Sequence, residues 1–169
     1  MSRAFVKDDA PDGPVVIPSR PALPDGVANY VTPRGLRLLK EELVELEAER
    51  GHLASAKNRG SSDQARDLAF TRGRIAQLES RIGSAKLVTP ADQAPDVVRF
   101  GAAVELQSAD GETTRTITIV GVDESDAGEG RITFLAPVAK RMTGKKVGDS
   151  VPMPTLRGDQ QFRITAISY

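Results

Sequence analysis

Between residues 33 and 86 the apolar residues recur in two heptad patterns, each typical of a helix that packs along one face. The first pattern consists of Leu36, Leu39, Leu43, Leu46 and Leu53, and the second of Leu68, Ile75, Leu78, Ile82 and Ala85. Thr32 and Pro33 precede the first pattern, and these residue types favour an N-cap and a first helical position. The spacing therefore predicts one helix over about 33–58 and another over about 62–86.

The two patterns mirror each other about a point between residues 60 and 61. Leu36 and Ala85 lie equally far from that point, and so do Leu53 and Leu68. This symmetry predicts an antiparallel coiled-coil hairpin over residues 31–89 with its turn at 60–61. Each arm would be roughly 40 Å long at about 1.5 Å per residue. Arg50 opposite Thr71 would be the one polar layer. Two helices of an ordinary bundle are the alternative, but the chain offers no third helical pattern of this length.

After Pro90 and Pro95 the apolar residues alternate with polar ones, which is typical of strands. Asp110-Gly111 separates two such runs and predicts a β-hairpin. Pro137 and Gly144 bound a short helical segment, because proline favours a helix start and glycine a helix end. Residues 97–169 are therefore predicted to form a small domain of about five strands and one short helix. The fold class is α+β: a helical stalk followed by a compact head.

The first 30 residues contain five closely spaced prolines: Pro11, Pro14, Pro18, Pro21 and Pro24. Proline removes a backbone donor and fixes φ, so this spacing opposes both helix and sheet ladders. We expect residues 1–30 to form an extended, flexible arm.

The amino-acid composition argues against several classes of function. The 23 basic and 23 acidic residues balance, whereas proteins that bind nucleic acid through bulk charge usually carry a basic excess. Cysteine is absent and His52 is the only histidine, so thiol chemistry and a histidine metal cluster are excluded within one chain. No apolar stretch approaches the roughly 20 residues that span a bilayer. We expect a cytoplasmic protein without membrane contact.

Three segments together resemble the bacterial GreA/GreB family of transcript cleavage factors. They are YVTPRGLRLLKEELVEL from residue 30, VRFGAAVELQSADGETTRTITIVGVDE from residue 98, and APVAKRMTGKKVGDSV from residue 136. The resemblance covers roughly residues 30–169. It implies an N-terminal antiparallel coiled coil and an FKBP-like C-terminal domain.

The resemblance also implies a partner, RNA polymerase within the transcription elongation complex, so that contact with nucleic acid would be indirect. The head would dock at the rim of the polymerase secondary channel, and the stalk would enter that channel. By position, the docking residues would be Pro137, Val138, Ala139 and Met142. Core packing is the alternative, because Val138 and Met142 share one helical face. We expect a monomer.

At the turn this chain departs from the family pattern. In the family an Asp and a Glu at the tip help to hold the second Mg²⁺ of the polymerase active centre. Ser61 and Gln64 occupy those positions here, while Asp67 coincides with a further acidic position. Asp63 and Asp67 lie four residues apart on one helical face, so they are the remaining candidates to contact a metal. The arms are also about a heptad short, which would place the tip roughly 10 Å less deep.

A purely structural interpretation of the tip is also available. Ser61 to Gln64 form the S-x-x-Q pattern of a capping box, and Asp63 lies where the helix dipole favours negative charge. Gly60 would provide a left-handed C-cap for the first helix. Lys57, Arg59 and Arg66 would neutralise part of the acidic charge.

We therefore expect a Gre-like elongation factor with weak or no stimulation of transcript cleavage. It would not itself be an enzyme and would hold no cofactor beyond Mg²⁺ shared with the polymerase. Four alternatives remain open. They are an Rnk-type regulator that competes for the channel, a fully active cleavage factor using Asp63 and Asp67, a coiled-coil adaptor, and a peptidyl-prolyl isomerase. The last is disfavoured because the head has only four aromatic residues, namely Phe100, Phe134, Phe162 and Tyr169.

Overall fold

The computed structural model describes residues 13–55, 61–155 and 158–169. Helix α1 spans Pro33–Ser55 and helix α2 spans Ser62–Gly83. The hydroxyl of Thr32 accepts a hydrogen bond from the Gly35 N–H at 2.9 Å, so the predicted N-cap is confirmed. The predicted turn at 60–61 and the cap at Gly60 fall partly or wholly outside the described residues. Within the described part of the chain, no helix has the length and apolar character needed to cross a membrane.

The two helices pack through the residues of the heptad patterns. Leu39, Leu46, Ile75 and Leu78 are buried, and the partly buried residues around them are Leu36, Leu43, Ile82 and Ala85. The prediction that Arg50 and Thr71 form a polar layer is correct for Thr71 and wrong for Arg50. Thr71 is 1% exposed and its hydroxyl lies 3.5 Å from Glu49 Oε1, whereas Arg50 is exposed. Arginine is long and strongly hydrated, so its position at the edge of this layer leaves the guanidinium in water.

Helix α2 ends earlier than the pattern predicted. It stops at Gly83, and the chain then forms strand β2 (Ala85–Leu87), which pairs in parallel with strand β1 (Asn29–Val31). Glycine is a weak helix former, and the Ser84 N–H bonds back to the carbonyls of Ser80 and Ile82. The buried Asn29 side chain donates to the Arg81 carbonyl at 2.8 Å and to Ser84 Oγ at 3.0 Å. These bonds join residues more than fifty positions apart, and they hold the segment just before α1 against the end of α2.

The head has the predicted five strands and one short helix. Its strands are β3 (Ala103–Ser108), β4 (Thr114–Val120), β5 (Arg131–Thr133), β6 (Ser150–Thr155) and β7 (Gly158–Ser168), and helix α3 spans Pro137–Met142. The order in the sheet is β5-β4-β3-β7-β6. The β4–β5 pair is parallel and the other neighbours are antiparallel. The Asp110-Gly111 hairpin is confirmed, with Gly111 at φ 78°.

The core of the head lies between the sheet and α3. Its largest fully buried side chains include Phe162, Leu106, Ile119, Met142 and Ile164. Strand β6 begins at Ser150, later than the alternating pattern from Lys145 suggested. The preceding residues form a turn in which Asp149 Oδ2 accepts from the Lys146 N–H at 2.8 Å. The chain is thus an α+β protein with a helical hairpin and a separate head.

The hairpin and the head meet at an aromatic cluster. Tyr30 of β1 lies 5.7 Å from Phe100 and 5.8 Å from Phe134, measured between ring centroids, and the two phenylalanines are 5.7 Å apart. Gly121 permits this approach, because a Cβ at that position would lie 2.6 Å from the Tyr30 carbonyl oxygen. Two of the four aromatic residues of the head are therefore used to hold the stalk.

Candidate functional site

Two hydrogen bonds among the described residues help to organise the tip of the hairpin. Ser61 is the N-cap of α2, and its side chain accepts from the Gln64 N–H at 3.2 Å, which is the first of the two bonds of the predicted capping box. The Gln64 side chain crosses to the other helix, where its Nε2 donates to the Leu53 carbonyl oxygen. Ser61 and Gln64 thus cap one helix and join it to its neighbour.

Asp63 and Asp67 lie in the first two turns of α2, and both are exposed. A hard cation such as Mg²⁺ takes six oxygen ligands and usually keeps several waters. Two exposed carboxylates could supply at most part of such a shell. Among the described residues there is no group of three or more His, Cys, Asp or Glu side chains placed to hold a metal ion. Any metal contact here would need most of its ligands from elsewhere.

The second candidate region is an open cavity of about 440 Å³ on the head beside α3. Its apolar lining comes from Ile117, Ile132, Ala136, Pro137, Val138 and Met153. Arg115, Arg141 and Asp159 lie at its polar edge. An apolar floor with charged groups at the edge suits a protein partner that inserts an aliphatic side chain and pairs a few charges around it.

The four docking residues predicted from the family occupy different environments. Pro137 is exposed and Val138 is half-buried, and both line the cavity. Ala139 and Met142 are 0% exposed and belong to the core of the head. The helical repeat explains the split, since residues 139 and 142 lie three apart on the inward face of α3. The side chains of Ala139 and Met142 therefore pack in the core of the head, as the core-packing alternative has it.

Sequence reasoning missed most of the cavity. Ile117 and Ile132 come from neighbouring strands β4 and β5, and Met153 comes from β6 at the far edge of the sheet. Arg115 and Ile117 are two positions apart on β4, and residues two apart on a strand share one face of the sheet. The sequence alone therefore places both on one face. The position of β6 relative to β4 was not visible, because it depends on strand order.

The base of the hairpin is held by a buried carboxylate of the head. Glu124, in the turn after β4, has a side chain only 4% exposed. It accepts a hydrogen bond from the Thr32 hydroxyl and one from Arg34 Nη1 at 3.0 Å. A Cβ at Gly35 would lie 2.6 Å from Glu124 Oε2, so glycine leaves room for the carboxylate against the first turn of α1. Negative charge at a helix N-terminus is favourable.

Comparison with known proteins gives consistent matches. A family model described as "Transcription elongation factor, GreA/GreB, C-term" matches residues 92–169. Transcription elongation factor GreA of Acidiphilium cryptum (strain JF-5) is 36% identical over 151 residues, which covers 82% of this chain and 96% of that protein. Transcription elongation factor GreA of Azorhizobium caulinodans is 40% identical over 101 residues, covering 60% and 64%. The solved GreA/GreB factor from Nitrosomonas europaea has 22% identity and a TM-score of 0.43, covering 83% of this chain and 98% of that one.

These relatives correct one expectation. The sequence led us to expect that the protein is not itself an enzyme, yet its curated relatives are named transcription elongation factor GreA. Factors of that kind take part in endonucleolytic cleavage of the transcript, exercised through the polymerase. The expectation failed because it counted only catalytic groups within this chain, whereas the activity of the family is shared with its partner.

The similarity to the Acidiphilium protein includes both the hairpin and the head, since it covers 82% of this chain, far more than the head alone. The family model independently covers the whole of the head. This chain therefore belongs to the GreA/GreB family of transcription elongation factors.

Proposed function

We propose that this protein binds bacterial RNA polymerase at the secondary channel and regulates transcription elongation from there. The observation that carries the proposal is the similarity to a GreA factor over 96% of that protein's length, with both hairpin and head present. The protein acts as a monomer in the cytoplasm, and its contact with nucleic acid is indirect.

The head supplies the docking surface through the cavity beside α3. Pro137 and Val138 contribute apolar surface that a partner can reach, and Ala139 and Met142 hold α3 in place from the core. Arg141 is exposed at the end of α3, and its Nη1 lies 3.4 Å from the Pro152 carbonyl. At the cavity edge the two arginines, Arg115 and Arg141, outnumber the one acidic residue, Asp159, so the edge favours an acidic partner surface.

The tip stimulates transcript cleavage weakly or not at all. Ser61 and Gln64 occupy the positions at which the family has carboxylates, and both take part in hydrogen bonds that organise the turn. Asp63 and Asp67 are exposed carboxylates without a third acidic group beside them among the described residues. The protein holds no cofactor of its own, and any Mg²⁺ it contacts is shared with the polymerase active centre.

The docking surface is tested by Val138→Asp, with Val147→Asp as the matched control. Both valines belong to the head, but only Val138 lines the cavity, whereas Val147 is 56% exposed and lies outside it. A charge placed in an apolar contact loses on the order of 2–4 kcal/mol, so we expect affinity for core RNA polymerase to fall about 30-fold or more. Binding is measured by competition with a labelled GreA factor. Equal affinities for the two variants would contradict the proposed surface.

A further inference from the structure

Residues 17–23 precede the hairpin without forming a helix or a strand, bend at Pro21, and are buried with a period of three. Ile17, Arg20 and Leu23 are half-buried, while the pairs of residues between them are exposed. A period of three is that of a polyproline II helix, which has three residues per turn and suits a segment with prolines at 18 and 21. One face of this segment therefore lies against the rest of the molecule. We call residues 17–23 the strap.

Arg20 connects the hairpin to the head. Its Nη1 and Nη2 donate to the two carboxylate oxygens of Glu42 on α1, at 2.9 and 3.0 Å. Its Nε donates to Asp123 Oδ1 of the head at 2.9 Å. The side chains of Arg20 and Asp123 are 19% and 7% exposed, so their pair is shielded from solvent, whereas Glu42 is 31% exposed and its pair with Arg20 is partly solvated. The planar guanidinium fork makes a bidentate pair with Glu42 and a third bond to Asp123, a geometry that the single ammonium of a lysine does not reproduce.

The other helix of the hairpin, α2, also contacts the strap and Asp123 of the head. Arg81 of α2 donates through Nη2 to the Pro21 carbonyl at 2.6 Å, and its Nε lies 3.3 Å from Asp123 Oδ2. Nearer the tip, Ile17 packs on Gly73 of α2. A Cβ at Gly73 would lie 1.8 Å from Ile17 Cδ1, so the strap occupies the space that glycine leaves. The strap thus touches α1, α2 and, through Asp123, the head.

The position of these contacts determines what they can do. Among the described residues, the other contacts between hairpin and head involve Tyr30, Thr32 and Arg34 near the start of α1 and Arg81 near the end of α2. Contacts so near the chain connection can act as a pivot. Glu42 lies ten residues beyond Thr32, which is about 15 Å along a helix at about 1.5 Å per residue. A contact at that distance from a pivot resists rotation far better than one at the pivot itself.

We propose that the strap is a brace that holds the hairpin and the head in one fixed orientation, with Arg20 as its central connection and Ile17 as its anchor. The inference is independent of what the protein binds, because it concerns the relative orientation of two parts of one chain. Residues before the α1 cap would then set the direction in which the tip points relative to the head.

The chain contains no cysteine, so two engineered ones can carry spin labels without interference. Glu47→Cys on α1 and Glu105→Cys on β3 place the labels at exposed positions on the two parts. Double electron–electron resonance then gives the distribution of distances between hairpin and head. In the labelled full chain we expect one narrow distribution.

Two variants release the strap by different routes. Arg20→Ala removes the link between Glu42 and Asp123, and Gly73→Leu fills the space of Ile17 while improving the helix propensity of α2. We expect both to broaden the distribution and to add distances absent from the parent. Arg37→Ala is the control, because it removes an exposed ion pair with Glu41 on α1 that does not involve the strap.

Circular dichroism establishes that each variant retains its helices before the distances are compared. Unchanged distributions in both Arg20→Ala and Gly73→Leu would overturn the proposal. An equal broadening in Arg37→Ala would overturn it as well, because the effect would then not depend on the strap.

Discussion

The two ends of the helical hairpin differ in how their polar residues are used. At the base, Thr32 and Glu124 are 9% and 7% exposed and hydrogen-bond each other across the joint with the head. At the tip, Ser61, Asp63 and Asp67 are all exposed. Ser61 caps α2, and the Gln64 side chain donates to the Leu53 carbonyl of α1. The base therefore holds the hairpin to the head, whereas these bonds at the tip join residues of the hairpin itself.

The same contrast explains which parts of the family resemblance persist in this chain. Thr32 and Gly35 belong to the matching segment at the base, and each has a physical role there. Thr32 caps α1, and Gly35 makes room for the Glu124 carboxylate. At the tip, where the resemblance places Ser61 and Gln64 at the family's acidic positions, these two residues form the bonds of a capped turn. Residues that join elements far apart in sequence are harder to replace than residues of a local turn.

The largest difference between the ends is expected from leucine truncation. Leu78, near the base, is 0% exposed, whereas Leu68, near the tip, is only partly buried. Leu78→Ala should lower the free energy of unfolding by about 3 kcal/mol, because it removes buried methyl groups and leaves a cavity. Leu68→Ala should cost about 1 kcal/mol, because water already reaches that side chain. Urea denaturation measures both, and equal costs would mean that the hairpin is uniformly packed.

A smaller effect, with opposite signs at the two ends, is expected from glycine replacement within α1. At Gly51, toward the tip, an added Cβ would meet no atom within 4 Å, so Gly51→Ala should stabilise the protein by about 0.5–1 kcal/mol. At Gly35 the same methyl group would press on Glu124 Oε2, so Gly35→Ala should destabilise it by about 1–2 kcal/mol. Thermal unfolding of the two single variants measures the signs. Stabilisation by Gly35→Ala would show that the Glu124 contact is unimportant.

Local patterns predicted the elements of this fold well. The heptads identified the hairpin core, Thr32-Pro33 its first cap, Asp110-Gly111 a β-hairpin, and Pro137 the start of α3. Each of these signals depends on residues a few positions apart, where backbone geometry alone decides which side chains meet. The Ser61 cap at the tip was predicted for the same reason.

Contacts between distant segments were not predicted. The β1–β2 pair joins residues more than fifty positions apart, and Glu124 meets Thr32 across a separation of 92. Asp123 and Glu124 read in the sequence as an ordinary acidic pair after a strand, and nothing local reveals the arginine or threonine that each will face. The proline pattern predicted an extended, flexible arm over residues 1–30, whereas Ile17 packs on Gly73 and the last two residues, Asn29 and Tyr30, belong to strand β1, through contacts that depend on tertiary packing. Candidate docking residues were affected similarly, since burial of Ala139 and Met142 follows from the placement of α3 on the sheet.

The smallest effect on stability is expected from the tip carboxylates, and it tests the central claim that this tip contributes little chemistry. Asp63 and Asp67 are exposed, so Asp63→Ala with Asp67→Ala should change the free energy of unfolding by less than about 0.5 kcal/mol per site. The decisive measurement is the rate at which saturating wild-type protein and the double variant shorten the transcript in a backtracked elongation complex. We predict the same slow rate for both proteins. Rapid shortening by the wild type, lost in the double variant, would contradict the account.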